Sequence, residues 1–281
     1  MTFASKFRTG VAVAAFAALT TVAGAASAAN MIGNCEVTGK KGAYSITPAI
    51  AGQLTYETNL PAPGWNNGDK PEEIKDGYEY CLAANIAWRL GLDKLVVKHV
   101  DFDALVAGNT KDFDIALSQI SITDKRKEVV KFSVPYFDSD VGVLARKGKK
   151  ISSDDMKKLR LGVQQGTTGA DFVNETLKPK AAAQVFNDTP AMFGALDTGQ
   201  IDAALTDTAI VVPQAATSGG KQVVVGQYKT GEQYGALFPK GSASAATIDK
   251  VLKELIAEGV TKKLEAKYLA GDMSKIPTFK P

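Results

Sequence analysis

Residues 117–126 read Leu117-Ser118-Gln119-Ile120-Ser121-Ile122-Thr123-Asp124-Lys125-Arg126. They follow an apolar, strand-like segment at residues 113–117 and place several hydroxyl side chains ahead of an arginine. Hydroxyls and free backbone N–H groups at the end of a strand suit a small anion. The planar arginine fork can hold a carboxylate through two parallel hydrogen bonds. This stretch therefore predicts a carboxylate-binding site at the end of a strand.

Apolar periodicity alternates between strand and helix on both sides of this stretch. Strand patterns occur at residues 54–58, 95–100, 113–117, 159–163, 182–186, 201–205 and 234–239. Helix patterns occur at residues 82–90, 102–107, 170–177, 191–196, 208–216, 248–256 and 260–269. This alternation predicts an α/β fold whose sheet is mainly parallel.

The two halves of the chain repeat one pattern, in which a helix, a glycine break and a short strand lead to polar residues. Residues 103–118 follow this pattern in the first half, and residues 194–207 follow it in the second. Open α/β sheets bind ligands at polar groups beyond the carboxyl ends of parallel strands. A ligand that contacts Arg126 in one half and Thr168 and Asp207 in the other would lie in a cleft between two lobes.

The N-terminus has the pattern of a secretory signal peptide, which we predict over residues 1–29. Lys6 and Arg8 precede an apolar run at residues 11–22, and small residues at 26–29 suit cleavage. The run is too short for a stable membrane span. We therefore expect a soluble exported protein, located in the periplasm, whose mature chain begins near Asn30.

The mature chain has almost balanced charge. Without Lys6 and Arg8, the 33 basic residues become 31, against 30 acidic residues, so the net charge is +1. No basic face emerges from the sequence, and nucleic acid is not an expected partner.

Two cysteines, Cys35 and Cys81, are present in the chain. In an oxidising compartment such a pair is usually a disulfide, although two buried thiols remain an alternative. A metal site is not expected, because the chain has one histidine and no Cys-x-x-Cys motif. No cofactor is expected either.

Several ordered pieces of the chain resemble one known family, the periplasmic solute-binding proteins of ABC transporters for polar amino acids and opines. The pieces are Asp76-Gly77-Tyr78-Glu79, Asp101-Phe102-Asp103-Ala104-Leu105, Ile120-Ser121-Ile122-Thr123 with Arg126, Phe132-Ser133 with Pro135-Tyr136, Gly162-Val163-Gln164-Gln165-Gly166-Thr167-Thr168, Gly199-Gln200-Ile201-Asp202-Ala203 with Asp207, and Glu232-Gln233-Tyr234-Gly235. No single piece is decisive, but seven in order are specific.

The resemblance implies the two-lobe, type II periplasmic-binding fold with two hinge strands. The first lobe would hold residues 30–139 and 239–281, and the second would hold residues 140–238. The protein would be a monomer that closes around an amino acid or a derivative such as an opine and delivers it to the membrane permease of an ABC transporter. We do not expect an enzyme, because the sequence offers no Ser-His-Asp or Cys-His arrangement.

The resemblance also implies roles for individual residues. Arg126 would pair with the ligand α-carboxylate, helped by Ser121 and Thr168, and Asp207 would receive the α-ammonium. Ser118 and Gln119 would line the same wall, and Phe102 would pack on the aliphatic part of the ligand. A zwitterion needs such a cation and such an acceptor, because an unpaired buried charge costs several kcal/mol.

The chain departs from the family pattern after its first strand. A loop aromatic is usual there, and Trp65 is the candidate to replace it at the rim of the cleft. Cys81 replaces an acidic residue that is common in the first helix, which supports a disulfide to Cys35.

Alternatives remain open at several of these positions. Arg126 could form only a salt bridge at a helix start, Asp207 could be only a helix cap, Phe102 could be ordinary core, and Trp65 could be a surface aromatic. An exported dehydratase-like enzyme on the same fold, or a ligand sensor that feeds a receptor, are the alternative functions.

Overall fold

Two groups of parallel strands lie in one eight-stranded sheet, and two long antiparallel strands join them. The structure, a computed structural model, describes residues 1–4, 30–269, 271 and 273–281. Residues 5–29 of the predicted signal peptide therefore lie outside the described residues. The strands are β1 Asn30–Ile32, β2 Cys35–Val37, β3 Gln53–Thr58, β4 Lys94–His99, β5 Ile115–Ala116, β6 Val130–Arg146, β7 Leu161–Gln164, β8 Gln184–Phe186, β9 Ala203–Asp207 and β10 Gln222–Pro239.

The helices occur at nearly all of the predicted positions. They are α1 Tyr78–Arg89, α2 Phe102–Val106, α3 Asp124–Lys127, α4 Thr168–Asp171, α5 Thr189–Thr198, α6 Thr208–Thr217, α7 Ala245–Ala257 and α8 Val260–Tyr268. A π-helical turn, Phe172–Leu177, continues α4, and 3₁₀ turns occur at Ser153–Lys158 and Met273–Lys275. Among the described residues, no helix is long and apolar enough to cross a lipid bilayer.

The sheet order is β4-β3-β5-β10-β6-β9-β7-β8. The first lobe is built on β3, which pairs in parallel with β4 and β5. The second lobe is built on β7, which pairs in parallel with β8 and β9. The carboxyl ends of both sets of strands therefore face the same cleft, as the alternating pattern predicts.

Helix α7 shows how apolar spacing fixes the packing. Ile248 is followed three, four and seven residues later by Val251, Leu252 and Leu255, and all four are fully buried in the first-lobe core. Residues at this spacing share one face of a helix. Strand β3 is buried along its whole length, because helices cover both faces of a sheet of this kind.

The hinge strands are longer than predicted. Strand β6 has 17 residues and β10 has 18, and they pair antiparallel from one lobe to the other with several register shifts. The predicted strand 234–239 is only the last third of β10. Its start is missed because the central part of β10 is polar and exposed, so its apolar alternation is interrupted.

The predicted strand 113–117 shortens to β5, Ile115–Ala116. Asp112 has a φ of 60°, which ends regular pairing there. The Asp114 carboxylate accepts hydrogen bonds from the Ala49 and Thr55 backbone N–H groups at 2.7 and 2.8 Å. Hydrogen bonds to a side chain thus replace some of the backbone hydrogen bonds that are expected between paired strands.

The N-terminal hairpin β1–β2 is held on the first lobe by a disulfide. Cys35 of β2 bonds to Cys81 of α1, 46 residues away, and both residues are buried. This confirms the predicted pairing, and the alternative of two free thiols is wrong.

The last residues of the chain contact the second lobe. Gln227 donates its backbone N–H to the Pro277 carbonyl at 2.9 Å, and the Phe279 N–H donates to the Gln227 carbonyl at 2.7 Å. The Phe279 ring packs against Tyr228, with centroids 5.9 Å apart. Residues 277–279 thus pack on β10 next to the second lobe, and the predicted lobe boundaries remain a prediction.

We expect a Cys35→Ser/Cys81→Ser variant to fold with lower stability. Releasing a loop of this length should lower the free energy of unfolding by about 4 kcal/mol in the chain-entropy model. Urea denaturation of the oxidised wild type and of the variant measures the difference. The wild type unfolded in reductant should match the variant, and equal midpoints for all three samples would contradict the prediction.

Candidate ligand-binding site

The Arg126 guanidinium is buried between the two lobes. Thr123 begins α3, because its hydroxyl accepts a hydrogen bond from the Arg126 backbone N–H at 3.2 Å. The guanidinium donates to the carbonyl oxygens of Ser121 at 2.6 Å and of Gly166 at 2.9 Å. Gly166 follows β7 in the second lobe, so Arg126 reaches across the cleft. A guanidinium has five N–H donors, and those not used by these two carbonyls remain for a ligand.

Arg126 is not held by a local salt bridge. No ion pair among the described residues includes it. Its guanidinium carbon lies 5.5 Å from the centre of the Phe102 ring, within cation–π range. Burial lowers the pKa of Arg126, and the nearby carboxylates of Asp207 and Glu232 act in the opposite direction. Phe102 thus belongs to a buried apolar cluster and also contacts the Arg126 guanidinium.

Gly166 permits the close approach of the two lobes. Its φ is +74°, a conformation that favours glycine. A Cβ at this position would lie 3.1 Å from the Cβ of Asp103 in the first lobe. The neighbouring Gln165 amide donates to the Asp103 carboxylate at 3.0 Å. Glycine therefore meets both a backbone and a packing requirement at the cleft.

Asp207 ends β9 and is buried. It stands at the start of α6, but its side chain makes no capping hydrogen bond there. Its carboxylate instead accepts a hydrogen bond of 2.5 Å from the Tyr234 hydroxyl of β10. Burial raises the pKa of Asp207 well above its usual range, and the Glu232 charge adds to the rise. A cationic group placed beside Asp207 would stabilise its ionised form.

Ser118 and Gln119 form the turn after β5. Gln119 has a φ of 49°, in the left-handed region. Its backbone N–H donates to Oε1 of Glu79 at 2.8 Å, and its side-chain amide also donates to Glu79. The Ser118 hydroxyl accepts from the Asn59 backbone N–H at 3.0 Å. The turn is therefore fixed by the helix and the loop that pack behind it.

Glu79 is a fully buried carboxylate to which the sequence analysis gives no role. Besides Gln119 it accepts hydrogen bonds from the Tyr136 hydroxyl at 2.5 Å and from the Asn66 amide at 3.4 Å. Burial raises the pKa of Glu79 to about 7, although these hydrogen bonds act in the opposite direction. Glu79 holds the 118–119 turn against α1 and so positions the wall of the site.

Glu232 of β10 connects Ser121 and Thr168, the two hydroxyl side chains that are predicted to bind the ligand carboxylate. Both hydroxyls donate to the same Glu232 oxygen, Ser121 at 2.5 Å and Thr168 at 2.6 Å. The two hydroxyl oxygens lie 3.5 Å apart. Because Ser121 belongs to the first lobe and Thr168 to the second, Glu232 bridges the cleft. In this state the hydroxyl protons point at Glu232 and are not available to a ligand.

Trp65 lies between the lobes and not at an exposed rim. Only 1% of the residue is exposed, and its indole N–H donates to the Ala209 carbonyl of α6 at 2.9 Å. Its ring packs against Tyr78, Phe137 and Tyr234 at centroid distances of 5.0 to 5.6 Å. The surface-aromatic alternative is therefore wrong, and Trp65 is a buried contact between the lobes.

These residues surround one cavity of about 330 Å³, within the usual range of ligand pockets. All eight residues predicted for the ligand line it: Trp65, Phe102, Ser118, Gln119, Ser121, Arg126, Thr168 and Asp207. The ion pairs of the described residues do not include one between Arg126 and Asp207. A cation and an acceptor thus face one cavity without neutralising each other.

Three residues of the site are not predicted from the sequence: Glu79, Glu232 and Tyr234. All three stand in pieces that carry the family resemblance, Asp76-Gly77-Tyr78-Glu79 and Glu232-Gln233-Tyr234-Gly235. That signal marks their position but gives no role, because each acts on partners that are distant in sequence.

We expect Glu79 to make stability fall as pH rises. Its folded-state pKa of about 7 lies above the ordinary value of 4.5, so the folded protein binds the proton more tightly. The resulting stabilisation is complete below pH 4.5 and is lost as pH rises through 7. Relative to a Glu79→Gln variant, the wild type should lose about 3 kcal/mol of unfolding free energy between these values. Urea titrations at several pH values measure this slope, and the exposed Glu175→Gln variant should not change it.

We expect a Glu232→Ala variant to open in the absence of ligand. The change removes two hydrogen bonds to a carboxylate that hold the lobes together, each worth about 1.5–3 kcal/mol. Small-angle scattering should give a larger radius of gyration than for the wild type. Glu232→Gln keeps an acceptor oxygen and should show a smaller increase. Equal radii for all three proteins would show that Glu232 does not hold the lobes closed.

The chain is similar to a known family and to several known proteins. The model of the family "Bacterial extracellular solute-binding proteins, family 3" matches residues 58–271. The chain is 35% identical over 205 residues to a probable histidine-binding protein of Neisseria gonorrhoeae, covering 69% of this chain and 75% of that protein.

Solved structures give the same result. An ancestral arginine-binding protein bound to arginine superposes with a TM-score of 0.69 at 30% identity, covering 78% of this chain and 99% of that one. The ancestral amino acid-binding protein AncCDT-1, a precursor of cyclohexadienyl dehydratase, gives a TM-score of 0.67 at 28% identity, covering 78% and 96%. The chain belongs to family 3 of the bacterial extracellular solute-binding proteins.

Proposed function

We propose that this protein captures an amino acid between its lobes and delivers it to the permease of an ABC importer. The observation that carries the proposal is the pair Arg126 and Asp207, both buried and facing one cavity between two lobes. A zwitterionic head group supplies the two opposite charges that these side chains lack. Pairing both charges in one step avoids the cost of leaving either buried alone.

The head group would lie with its carboxylate on Arg126 and its ammonium on Asp207. The Arg126 donors that do not contact Ser121 and Gly166 would bind the carboxylate oxygens. The Ser121 and Thr168 hydroxyls would join them once they leave Glu232. The Phe102 ring would pack beside the carboxylate, because it already contacts the guanidinium.

The relatives support a transport role. The names of the matched proteins describe binding of histidine, cystine, glutamine and arginine, and two of these four proteins are named as ABC transporter proteins. We propose that residues 1–29 are removed on export and that the mature chain works in the periplasm. Delivery to a membrane permease would follow, since an exported binding protein needs one to move its ligand into the cell.

Closure of the lobes would trap the ligand. Contacts across the cleft already join Arg126 to Gly166, Gln165 to Asp103, and Trp65 to Ala209. The hinge strands β6 and β10 would bend to open it. We propose that the ligand leaves unchanged and that the protein is not a catalyst.

The head-group assignment is tested by Arg126→Ala and Asp207→Ala. A thermal-shift screen of the twenty amino acids identifies a ligand, since ligand at 100 times Kd adds about 2.7 kcal/mol to stability. Calorimetry with that ligand should show losses of about 2–4 kcal/mol for each variant, because each leaves a buried ligand charge unpaired. Binding within threefold of wild type for either variant would contradict the assignment.

Two controls separate binding from folding and from catalysis. Arg160→Ala removes an arginine that pairs with Asp202 at 2.7 Å outside the cavity, and it should leave affinity unchanged. The ligand should be recovered intact after long incubation with the protein. A product that accumulates in proportion to protein would replace the transport role by an enzymatic one.

A further inference from the structure

The cavity continues beyond the head-group residues, along one face of α5. Pro190, Gly194 and Asp197 line it, and their spacing of three or four residues places them on one side of the helix. Asp197 and Gly194 are exposed, so this part of the cavity reaches the protein surface. The cavity is therefore open at an end that the head-group residues do not use.

Helix α6 forms the other wall over the same length. The cavity is lined by Asp207, which directly precedes α6, and by two residues of the helix that follow it after three and seven positions, Ile210 and Gln214. Seven residues of α-helix span about 10 Å. The proposed ammonium site beside Asp207 is thus about 10 Å, measured along the helix, from the outer end beside Gln214. A short side chain cannot cover that length, because one carbon–carbon bond is only about 1.5 Å long.

The outer end is built around the Asp197 carboxylate. The Gln222 amide donates to Asp197 Oδ1 at 2.8 Å, and the Gln214 amide donates to Gln222 Oε1 at 3.0 Å. This chain of bonds orients Asp197 through residues of α6 and β10. No ion pair in the described part of the chain includes Asp197. The carboxylate is held in place without a cation.

The middle of the cavity suits the aliphatic part of a ligand side chain. Phe193 and Ile210 line it from the two helices. Thr206, just before Asp207, also lines it, and its hydroxyl is buried without a hydrogen-bond partner among the described residues. The walls therefore run from charged groups, through apolar side chains and one unpartnered hydroxyl, to a carboxylate at the surface.

The charges of the site favour a cation. One cation, Arg126, and two carboxylates, Asp207 and Asp197, line the cavity, and Glu232 accepts hydrogen bonds from two hydroxyls that line it. A zwitterion balances Arg126 and Asp207 and adds no net charge. The remaining carboxylates leave the site negative, and a second positive group on the ligand would reduce that imbalance.

We infer that Asp197, oriented by Gln222 and Gln214, binds the cationic end of a long amino-acid side chain. The ligand class is therefore an amino acid with a guanidinium or ammonium group several bonds from its α-carbon. This inference rests on the proposed function, because it takes the head group to lie at Arg126 and Asp207. Asp197 is a specificity-determining residue in this arrangement, and it acts at the end of the cavity remote from the head group.

The test compares L-arginine with L-citrulline, which has a similar length but an uncharged end. Calorimetry on the full mature protein should show at least tenfold tighter binding of arginine to the wild type. In Asp197→Asn, arginine should weaken by at least tenfold, while citrulline should stay within threefold of its wild-type affinity. Asp154→Asn removes the same charge at an exposed position that does not line the cavity, and it should keep the wild-type preference.

The outcomes separate this inference from the proposed function. If amino acids bind but Asp197→Asn leaves the ratio of arginine to citrulline affinity unchanged, the role of Asp197 is refuted. Tighter binding of L-alanine or L-citrulline than of L-arginine to the wild type refutes it as well. If none of the twenty amino acids binds the wild type, the proposed function itself fails and the inference fails with it. Unfolding midpoints without ligand should be equal for the wild type and Asp197→Asn, which shows that the variant is folded.

Discussion

The cleft is organised by the need to satisfy a buried guanidinium. Taking a charge out of water costs several kcal/mol unless hydrogen bonds and opposite charge surround it. Arg126 meets this requirement with one carbonyl from each lobe, Ser121 and Gly166, and with carboxylates nearby. The contact with Gly166 exists only when the lobes are close together, because Ser121 and Arg126 both belong to the first lobe. The position of the second lobe, the glycine at 166 and the hydrogen bonds of Glu232 all follow from that geometry.

The hinge strands do more than connect the lobes. Strand β10 supplies Tyr234, which donates to Asp207, and Glu232, which accepts from Ser121 and Thr168. Its first residue, Gln222, orients Asp197 at the outer end of the cavity. One strand thus contacts the cavity at three points, so bending of the hinge would move Asp207, the hydroxyl pair and the outer carboxylate together.

In the first lobe, a buried carboxylate holds one wall of the candidate site in place. Glu79 on α1 accepts hydrogen bonds from Gln119, Tyr136 and Asn66. These bonds hold the 118–119 turn against the core. A carboxylate surrounded by donors fixes several groups at once, because each of its oxygens can accept more than one hydrogen bond. The same burial that makes this network rigid raises the pKa of Glu79 and makes it sensitive to pH.

Most helices and strands, and the residues of the candidate site, can be predicted from local sequence patterns. Apolar periods of two and 3.6 residues are local signals, so helices such as α6 and α7 were predicted within a few residues of their observed bounds. The hydroxyl-rich turn with Arg126, the strand end at Asp207 and the cysteine pair were also identified from short patterns. Each depends on residues whose meaning is set by their near neighbours or by a simple pairing rule.

The contacts between side chains that are distant in sequence follow from the fold alone. Glu232 contacts Ser121 across 111 residues and Thr168 across 64, and Trp65 contacts Ala209 across 144. The full length of β6 and β10 cannot be predicted from the sequence either. A polar, partly exposed stretch is stabilised as a strand by pairing with its partner and not by an alternation of apolar and polar residues. Contacts at such separations arise from the packing of whole elements, and no pattern within a short window of sequence contains that information.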